Sequence, residues 1–245
     1  MVFASANACR GGHQTKNRKN PVMNTSRLHQ AFTLIEMLVV IAIIGIIASM
    51  AMPVYQNAIM TGKETQAMSN ARQVGMALRM FANDNDGGYP ITTNSYGQPI
   101  ITSNDAFRSL LPNYIDNEKV FAVAGSVAGP SADNQIQDAA HILQPGENYW
   151  AFISGLNSSS NSNWPLVVDS TDGTGNYTTV QTALGGMWKG TKAISINADI
   201  SAHLVPLLGS TGTTRYMPCY NDPTQNALAV SQYMGTTAAL LEPAH

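Results

Sequence analysis

The stretch HQAFTLIEMLVVIAIIGIIASMAMP, residues 29–53, decides the fold of this chain. Between residues 32 and 52 the one charged side chain is that of Glu36. A helix rises about 1.5 Å per residue, so a helix of this length covers roughly 30 Å, the thickness of the hydrocarbon core of a bilayer. The segment therefore predicts a membrane-crossing helix, and the carboxylate near its start has to be explained.

Charge is distributed unevenly along the chain. The charged residues of positions 1–31 are all basic: Arg10, Lys16, Arg18, Lys19 and Arg27. Because basic residues beside a membrane helix stay in the cytoplasm, we expect the residues after 53 on the opposite side. Leaving these five out of the thirteen basic residues gives eight against fifteen acidic residues, a formal charge of −7. An acidic domain lacks the cationic surface that phosphate binding needs, so we expect no nucleic-acid partner.

Two simple interpretations of the apolar segment leave Glu36 unexplained. A secretory signal peptide cut after Ala51 has small residues at the required spacing, but an acid inside its apolar region has no use. A plain membrane anchor explains the length, yet a carboxylate within the bilayer costs roughly 3 kcal/mol.

A third interpretation supplies a partner for the carboxylate. Cleavage between Ala31 and Phe32 creates an α-amino group about one helical turn before Glu36. The ammonium of one subunit can then pair with Glu36 of its neighbour, and this pairing is favoured because either charge left alone in apolar surroundings costs more. Glu36 is therefore predicted to set the register between packed helices.

The sequence AFTLIEMLVVIAIIGIIASMAMPVY, residues 31–55, resembles the N-terminal segment of type IV pilins and of the pseudopilins of type II secretion systems. In that family a prepilin peptidase cuts before the Phe of a Phe-Thr-Leu-Ile-Glu motif and methylates the new amine. The resemblance implies that residues 1–31 are a removed leader, that Phe32 becomes the N-methylated first residue, and that Glu36 acts in assembly.

The same resemblance assigns further roles in the segment. It makes Gly45 a helix-softening residue and Pro53 a kinking residue. The family usually has Gly before the cut, where this chain has Ala31. A compact basic leader, MNTSRLHQA, begins at Met23, so we expect translation to start there rather than at the first residue.

The residues after the apolar segment predict an α+β domain. Residues 58–81 lack Pro and place an apolar residue at every third or fourth position: Ala67, Ala71, Val74, Leu78 and Phe81. This spacing predicts an amphipathic helix that continues the membrane helix, so that one bent helix runs from about Phe32 to about Asn83. NDNDGGYP ends it.

Shorter elements follow this helix. SNDAFRSLLPNYI predicts a short helix capped by Ser103 or Asn104. NYWAFISGL, WPLVVDS and KAISIN predict strands, the last forming a hairpin with AHLVPL. The predicted organisation is a leader (1–31), a transmembrane and assembly helix (32–57), and an extracytoplasmic domain (58–245) in which the amphipathic half of the helix packs on a small antiparallel sheet.

Chemistry in the predicted domain is sparse. The sequence contains no His-Glu-x-x-His, Gly-x-Ser-x-Gly, P-loop or Cys-x-x-Cys motif, so we predict no enzyme and no resident cofactor. The exception is calcium, because the turn DSTDGTGN offers oxygen ligands. The candidate ligands are Asp169, Asp172, Asn176 and Asp199, and the alternative is a solvated turn.

Four aromatic residues offer a different kind of site. Trp150, Trp164, Trp188 and Tyr177 can either form a sugar-stacking surface or pack in a sheet core, and the strand-like surroundings favour the core.

The combined features predict a structural role. Short phrases such as MFANDNDGGYP and GGMWKGTKAISINAD are similar to pseudopilins of the secretion-system protein G type. The resemblance implies a subunit of a type II secretion pseudopilus, inserted in the inner membrane as a prepilin, processed, and assembled into a homo-oligomeric helical filament that drives export. The implied partners are the prepilin peptidase, an inner-membrane assembly platform and other pseudopilins. The alternatives are a type IV pilus subunit for adhesion or DNA uptake, and a membrane-tethered carbohydrate-binding or enzymatic domain.

Overall fold

The computed structural model describes residues 33–91, 93, 97, 99–138, 140–209, 212–229, 234 and 238–245. The proposed start at Met23 and the processing positions Ala31 and Phe32 lie outside the described residues. The chain forms two compact units, Met1–Ala51 and Met52–His245.

The described elements are, in chain order, α1 (Leu34–Asp84), α2 (Ser103–Arg108), a 3₁₀ helix (Glu118–Phe121), β1 (Trp150–Ser154), β2 (Pro165–Asp169), β3 (Tyr177–Thr178), β4 (Lys192–Asn197), β5 (Ala202–Pro206), β6 (Leu208–Gly209), β7 (Thr214–Tyr216) and β8 (Ala239–Leu241). The α+β prediction, with a long N-terminal helix packed on an antiparallel sheet, is confirmed.

Helix α1 is one α-helix with Pro53 inside it. Its predicted apolar face is buried at Ala67, Ala71, Val74 and Leu78, and Phe81 is partly buried against the same core. The helix ends where NDNDGG predicted, because Gly87 adopts a φ of +83° and its N–H donates to the carbonyl of Ala82 at 2.7 Å.

Two antiparallel sheets form the β portion. The five-stranded sheet has the order β5-β4-β2-β1-β8, and the three-stranded sheet has the order β3-β7-β6. The three predicted strands correspond to β1, β2 and β4, and the predicted hairpin is the β4–β5 pair, in which Ser195 lies opposite His203. The interior-facing residues of β1 and β2 are fully buried.

Helix α1 packs on β4 at a glycine. A Cβ atom added to Gly75 would lie 2.7 Å from Cγ2 of Ile196, closer than side chains approach one another. Near the same strand, Lys192 of β4 forms an ion pair with the largely buried Glu64 of α1. The sheet face that carries Ile196 is therefore the face that α1 covers.

The predicted cap of α2 is wrong by one residue. Thr102 is the N-cap, and it forms a capping box with Asp105. Ser103 and Asn104 are instead buried, where the Ser103 hydroxyl donates to the carbonyl of Trp150 at 2.7 Å. Both polar side chains form hydrogen bonds within the core, so the residue before them, Thr102, caps the helix.

Candidate functional site

The first part of α1 has no cover from the rest of the described chain. All residues from 34 to 59 are exposed, and the helix is long and apolar enough to cross a membrane. Leu34 exposes 85% of its surface and Met50 exposes 70%. Soluble proteins rarely leave so large a contiguous apolar surface in water, which marks this one as a surface for lipid or for other proteins.

Glu36 caps the start of α1. The amide and the hydroxyl of Thr33 each donate to Oε2 of Glu36 at 2.8 Å, and the amide of Glu36 donates to the Thr33 hydroxyl at 3.3 Å. This reciprocal arrangement is a capping box, which satisfies amide groups that the first helical turn leaves open. The pattern Thr-x-x-Glu is the local sequence signal of this role, which was not among the predictions.

The cap uses one oxygen of the carboxylate. Within the described part of the chain, Oε1 of Glu36 makes no hydrogen bond. Glu36 is thus able to hold its own helix end through Oε2 and to accept a further donor through Oε1.

Gly45 has open space around it. A Cβ atom added at this position would meet nothing within 4 Å, in contrast to the close contact at Gly75. The described chain therefore places no steric demand on Gly45, and Pro53 lies in the same uncovered stretch of the helix. Any requirement for a small residue here comes from groups other than the described residues.

The predicted calcium ligands fall at separate places. Asp172 and Asn176 share one turn, in which Oδ1 of Asp172 accepts from the amides of Thr174 at 2.9 Å and Asn176 at 3.2 Å. Asp199 lies in the β4–β5 turn, where its Oδ1 accepts from the amide of Ser201 at 2.8 Å. These oxygens already face N–H donors, an environment suited to a carboxylate without a cation.

Asp169 lies in the core at the end of β2. Its Oδ2 accepts from Nε1 of Trp188 and from the amide of Ile194, both at 2.8 Å. Its Oδ1 is buried and has no hydrogen-bond partner among the described residues. Burial raises the pKa of Asp169 to about 7, and the donors around it, which include the nearby hydroxyl of Tyr149, offset part of that effect. Of the predicted calcium ligands, Asp172 and Asn176 thus lie in the same turn, whereas the carboxylate of Asp169 accepts hydrogen bonds inside the core.

A separate group of carboxylates was not anticipated. Glu118, Asp133 and Glu147 each place an oxygen within 4.8 Å of the others, the one such group among the described residues. The buried Glu118 accepts from the amides of Leu143 and Asn134, the latter at 3.1 Å. Burial raises the pKa of Glu118, and the charges of Glu147 and Asp133 add to the increase. The carboxylate of Glu118 thus joins the 3₁₀ helix to the segments of Asn134 and Leu143.

The aromatic residues divide between the core and the surface. Trp150, Tyr177 and Trp188 are buried, which confirms the core interpretation for these three. Trp164 is only partly buried and lines an open cleft of about 360 Å³.

Comparison with known proteins adds two findings. The prokaryotic N-terminal methylation motif matches residues 26–52, which include both processing positions and Glu36. No solved structure gives a significant match to this chain.

Curated relatives are fimbrial proteins. The type IV major fimbrial protein FimA of Dichelobacter nodosus is 41% identical over 61 residues, which cover 25% of this chain and 39% of that protein. The fimbrial protein of Moraxella nonliquefaciens is 39% identical over 82 residues, 29% of this chain and 53% of the relative. A fimbrial protein of Neisseria meningitidis serogroup A is 31% identical over 117 residues, 47% of this chain and 64% of the relative. The chain thus spans less than two thirds of each of these relatives.

Proposed function

We propose that this chain, a type IV pilin-like protein with an N-terminal methylation segment, is a structural subunit of a homo-oligomeric helical filament. The observation that carries the proposal is the uncovered apolar surface of α1 from Leu34 to Val54. Lipid covers it before assembly, and the helices of other copies cover it afterwards. Because lipid is as apolar as the neighbouring helices, the gain on assembly comes from packing and from polar pairs.

Processing creates the polar pair. The prepilin peptidase removes residues 1–31 by cutting between Ala31 and Phe32, and Phe32 is N-methylated. The new amine of one subunit then donates to Oε1 of Glu36 on its neighbour, while Oε2 continues to cap the helix. Gly45, which has no neighbour within 4 Å among the described residues, allows the close approach of another helix.

The subunit is stored in the inner membrane. An apolar helix and a methylation motif fit an inner-membrane-anchored pilin. The basic leader keeps the N-terminus in the cytoplasm, which places the domain of residues 58–245 in the periplasm and residues 32–57 in the bilayer.

The finer proposal is a pseudopilus of a type II secretion system. Its support is the similarity of short phrases in the domain to secretion-system protein G. In this role the subunit works with other pseudopilins on an inner-membrane assembly platform, and filament extension drives protein export. The subunit itself has no catalytic role.

A type IV pilus subunit is the second candidate. Its support is that the curated relatives named above are fimbrial proteins. The two candidates predict filaments of different length and different losses on gene deletion.

One experiment tests both the assembly role and the choice of filament. The gene is deleted, and secreted proteins, periplasmic proteins and surface filaments are compared by proteomics and electron microscopy. A pseudopilin predicts that normally secreted proteins accumulate in the periplasm while long surface filaments persist. A pilus subunit predicts loss of the long filaments with normal secretion, and a strain unchanged in both respects would contradict the filament role.

The processing step has its own measurement. Intact mass and N-terminal sequencing of the protein from native membranes should show a chain that begins at N-methylated Phe32. A chain beginning at Met52 would indicate a cleaved signal peptide, and an uncut chain would indicate a plain anchor.

A further inference from the structure

The cleft that Trp164 lines lies on the face of the five-stranded sheet opposite to α1. Ile196 of β4 faces α1, and side chains alternate along a strand, so Ser195 and Asn197 point to the other face. His203 of β5 lies opposite Ser195 and shares that face. Residues 217–221 also line the cleft, which has a volume of about 360 Å³.

Two aromatic rings line the cleft. Tyr220 exposes 81% of its surface, and Trp164 is partly buried against the core. The backbone of Trp164 is fixed at both ends, because its amide donates to the carbonyl of Asn161 at 3.0 Å and its carbonyl accepts from the amide of Ala198 at 2.9 Å. Within the described part of the chain, neither the indole N–H of Trp164 nor the hydroxyl of Tyr220 has a hydrogen-bond partner.

The remaining polar groups of the cleft are amides and an imidazole. Asn163 and Asn221 have side-chain amides that bond to no other described residue, and Asn161 uses only its Oδ1, as an acceptor for the amide of Asn163 at 3.0 Å. Nε2 of His203 forms a hydrogen bond with the hydroxyl of Ser201 at 2.8 Å, so Nδ1 is available to bond a ligand. These groups offer several donors and acceptors around the rings.

Charge is missing from this lining. None of the described residues around the cleft is Lys, Arg, Asp or Glu. An anionic ligand needs a cation to offset its desolvation, and a cationic ligand needs a carboxylate. Asn161, Asn163 and Asn221 of the lining are exposed, so a purely apolar ligand would leave their amides to water and gain no hydrogen bond from them, whereas a ligand with hydroxyl groups gains both hydrogen bonds and apolar contact. A neutral ligand with many hydroxyl groups and apolar faces needs no charged partner, and it can bond the amides and contact the aromatic rings.

We propose that this cleft binds a neutral saccharide, with sugar rings against Trp164 and Tyr220 and sugar hydroxyls bonded to the asparagine amides. The volume is at the lower end of the range of roughly 300–1,000 Å³ found for small-ligand sites, which suits a short segment of a glycan chain. This binding goes beyond the filament role, because it uses residues of the sheet and of the C-terminal region that the exposed part of α1 does not include. The aromatic set differs from the one that the sequence suggested, since Trp150, Trp188 and Tyr177 are in the core.

Binding is measurable by tryptophan fluorescence. Trp150 and Trp188 are buried, so a ligand in the cleft changes chiefly the emission of Trp164. The full chain is prepared in a zwitterionic detergent without a sugar headgroup, since a maltoside detergent would compete. Cellohexaose, chitohexaose, mannohexaose and maltohexaose are each titrated to about 10 mM, which reaches very weak binding. We expect a saturable change with at least one of them.

Variants then locate the binding. Tyr220→Ala is expected to weaken the affinity about tenfold, because an exposed ring contributes contact and little to the core. Asn163→Ala is expected to weaken it about threefold to tenfold through the lost amide. Asn113→Ala, an exposed asparagine outside the cleft, is the matched control and is expected to change nothing. Calorimetry confirms each affinity independently of fluorescence.

The proposal is overturned if none of the four neutral oligosaccharides binds. It is also overturned if Tyr220→Ala and Asn163→Ala both retain the parent affinity, or if a polygalacturonate oligomer binds more tightly than every neutral one. Circular dichroism of each variant shows that a loss of affinity does not come from unfolding.

Discussion

The two halves of α1 have the same secondary structure and opposite surroundings. The exposed half, residues 34–59, has no residue covered by the described chain, whereas the packed half, residues 60–84, buries a stripe at every third or fourth position. The exposed half carries apolar residues on all sides, whereas the uncovered side of the packed half carries mostly polar residues together with the exposed Met76 and Met80. The distribution of apolar residues around a helix thus indicates whether its partner is its own domain or something beyond the chain.

The largest expected effect comes from a matched pair of leucines. Leu78 in the packed half is fully buried, while Leu38 in the exposed half exposes 56% of its surface. Leu78→Ala should lower the free energy of unfolding of the domain by roughly 3 kcal/mol, because it leaves a cavity. Leu38→Ala should change it by less than about 0.5 kcal/mol. Both changes are measured by thermal unfolding of the full chain in detergent, monitored by near-ultraviolet circular dichroism. Equal losses of stability in the two variants would contradict the difference between the two halves.

Gly75 in the packed half and Gly45 in the exposed half test the same difference between the two halves. Gly75→Leu should destabilise the domain by roughly 2 kcal/mol, because a side chain there overlaps Ile196. Gly45→Leu should leave the unfolding temperature unchanged and reduce the yield of assembled filaments, because other subunits are its neighbours in the proposed filament. The filament yield is measured by sedimentation. A Gly45→Leu variant with lower domain stability, or with full assembly, would contradict this view of the exposed half.

The pH dependence of stability is expected to come from the domain and not from the exposed half. The folded pKa of Asp169 is about 7, above the ordinary value of 3.8, so the folded state holds a proton that the unfolded state has lost. Stability therefore falls as the pH rises from about 4 to about 7, by about 2 kcal/mol between about pH 5 and about pH 7. Burial also raises the pKa of Glu118 and Glu242, which adds to the slope in the same direction.

Asp169→Asn isolates the contribution of this carboxyl group. The amide oxygen of Asn is able to accept from Trp188 and Ile194 as Asp169 does, and it does not ionise. The variant should unfold with a clearly smaller pH slope over this window, measured by denaturant titration at a series of pH values. An unchanged slope would show that Asp169 is ionised throughout.

Calcium is expected to have the smallest effect. A site with a dissociation constant of about 0.1 mM would stabilise the protein by about 1.4 kcal/mol at about 1 mM calcium. Asp172 and Asp199 direct oxygens at amides instead of at a common centre, so we expect a smaller shift than that in thermal unfolding. A larger shift with calcium than with magnesium, abolished by Asp172→Asn, would establish the predicted site at this turn.

Periodic patterns in the sequence predicted most of the large elements. Both halves of α1, the strands β1, β2 and β4, and the β4–β5 hairpin follow from spacing and turn residues. The strands β3, β6, β7 and β8 were missed because each has two or three residues, too few to show alternation. The partners of β3 and β8 are also distant in sequence, as in the pairing of Tyr177 with Arg215, whereas β6 and β7 pair locally.

The functional residues were predictable only where the signal is local. The methylation motif is one continuous stretch, and the Thr33–Glu36 cap is a four-residue pattern that was visible in the sequence although it was not predicted. By contrast, Asp169 was expected in a solvent-facing turn, and its burial depends on donors that lie 19 and 25 residues away. The cleft combines Trp164, His203 and Tyr220 from three separate segments, so no single stretch of sequence shows it.

The central claim, that Glu36 pairs with the amine of a neighbouring subunit, is tested most directly by Glu36→Gln. Glutamine keeps the capping box with Thr33 and removes the charge, so cap and pairing are separated. Thr33→Ala is the matched control, because it weakens the cap and retains the charge. Filaments from cells that produce equal amounts of each membrane-inserted subunit are sheared off, sedimented and quantified. We expect normal membrane insertion of Glu36→Gln with little or no filament, and near-normal filament from Thr33→Ala. A wild-type filament yield from Glu36→Gln would contradict it.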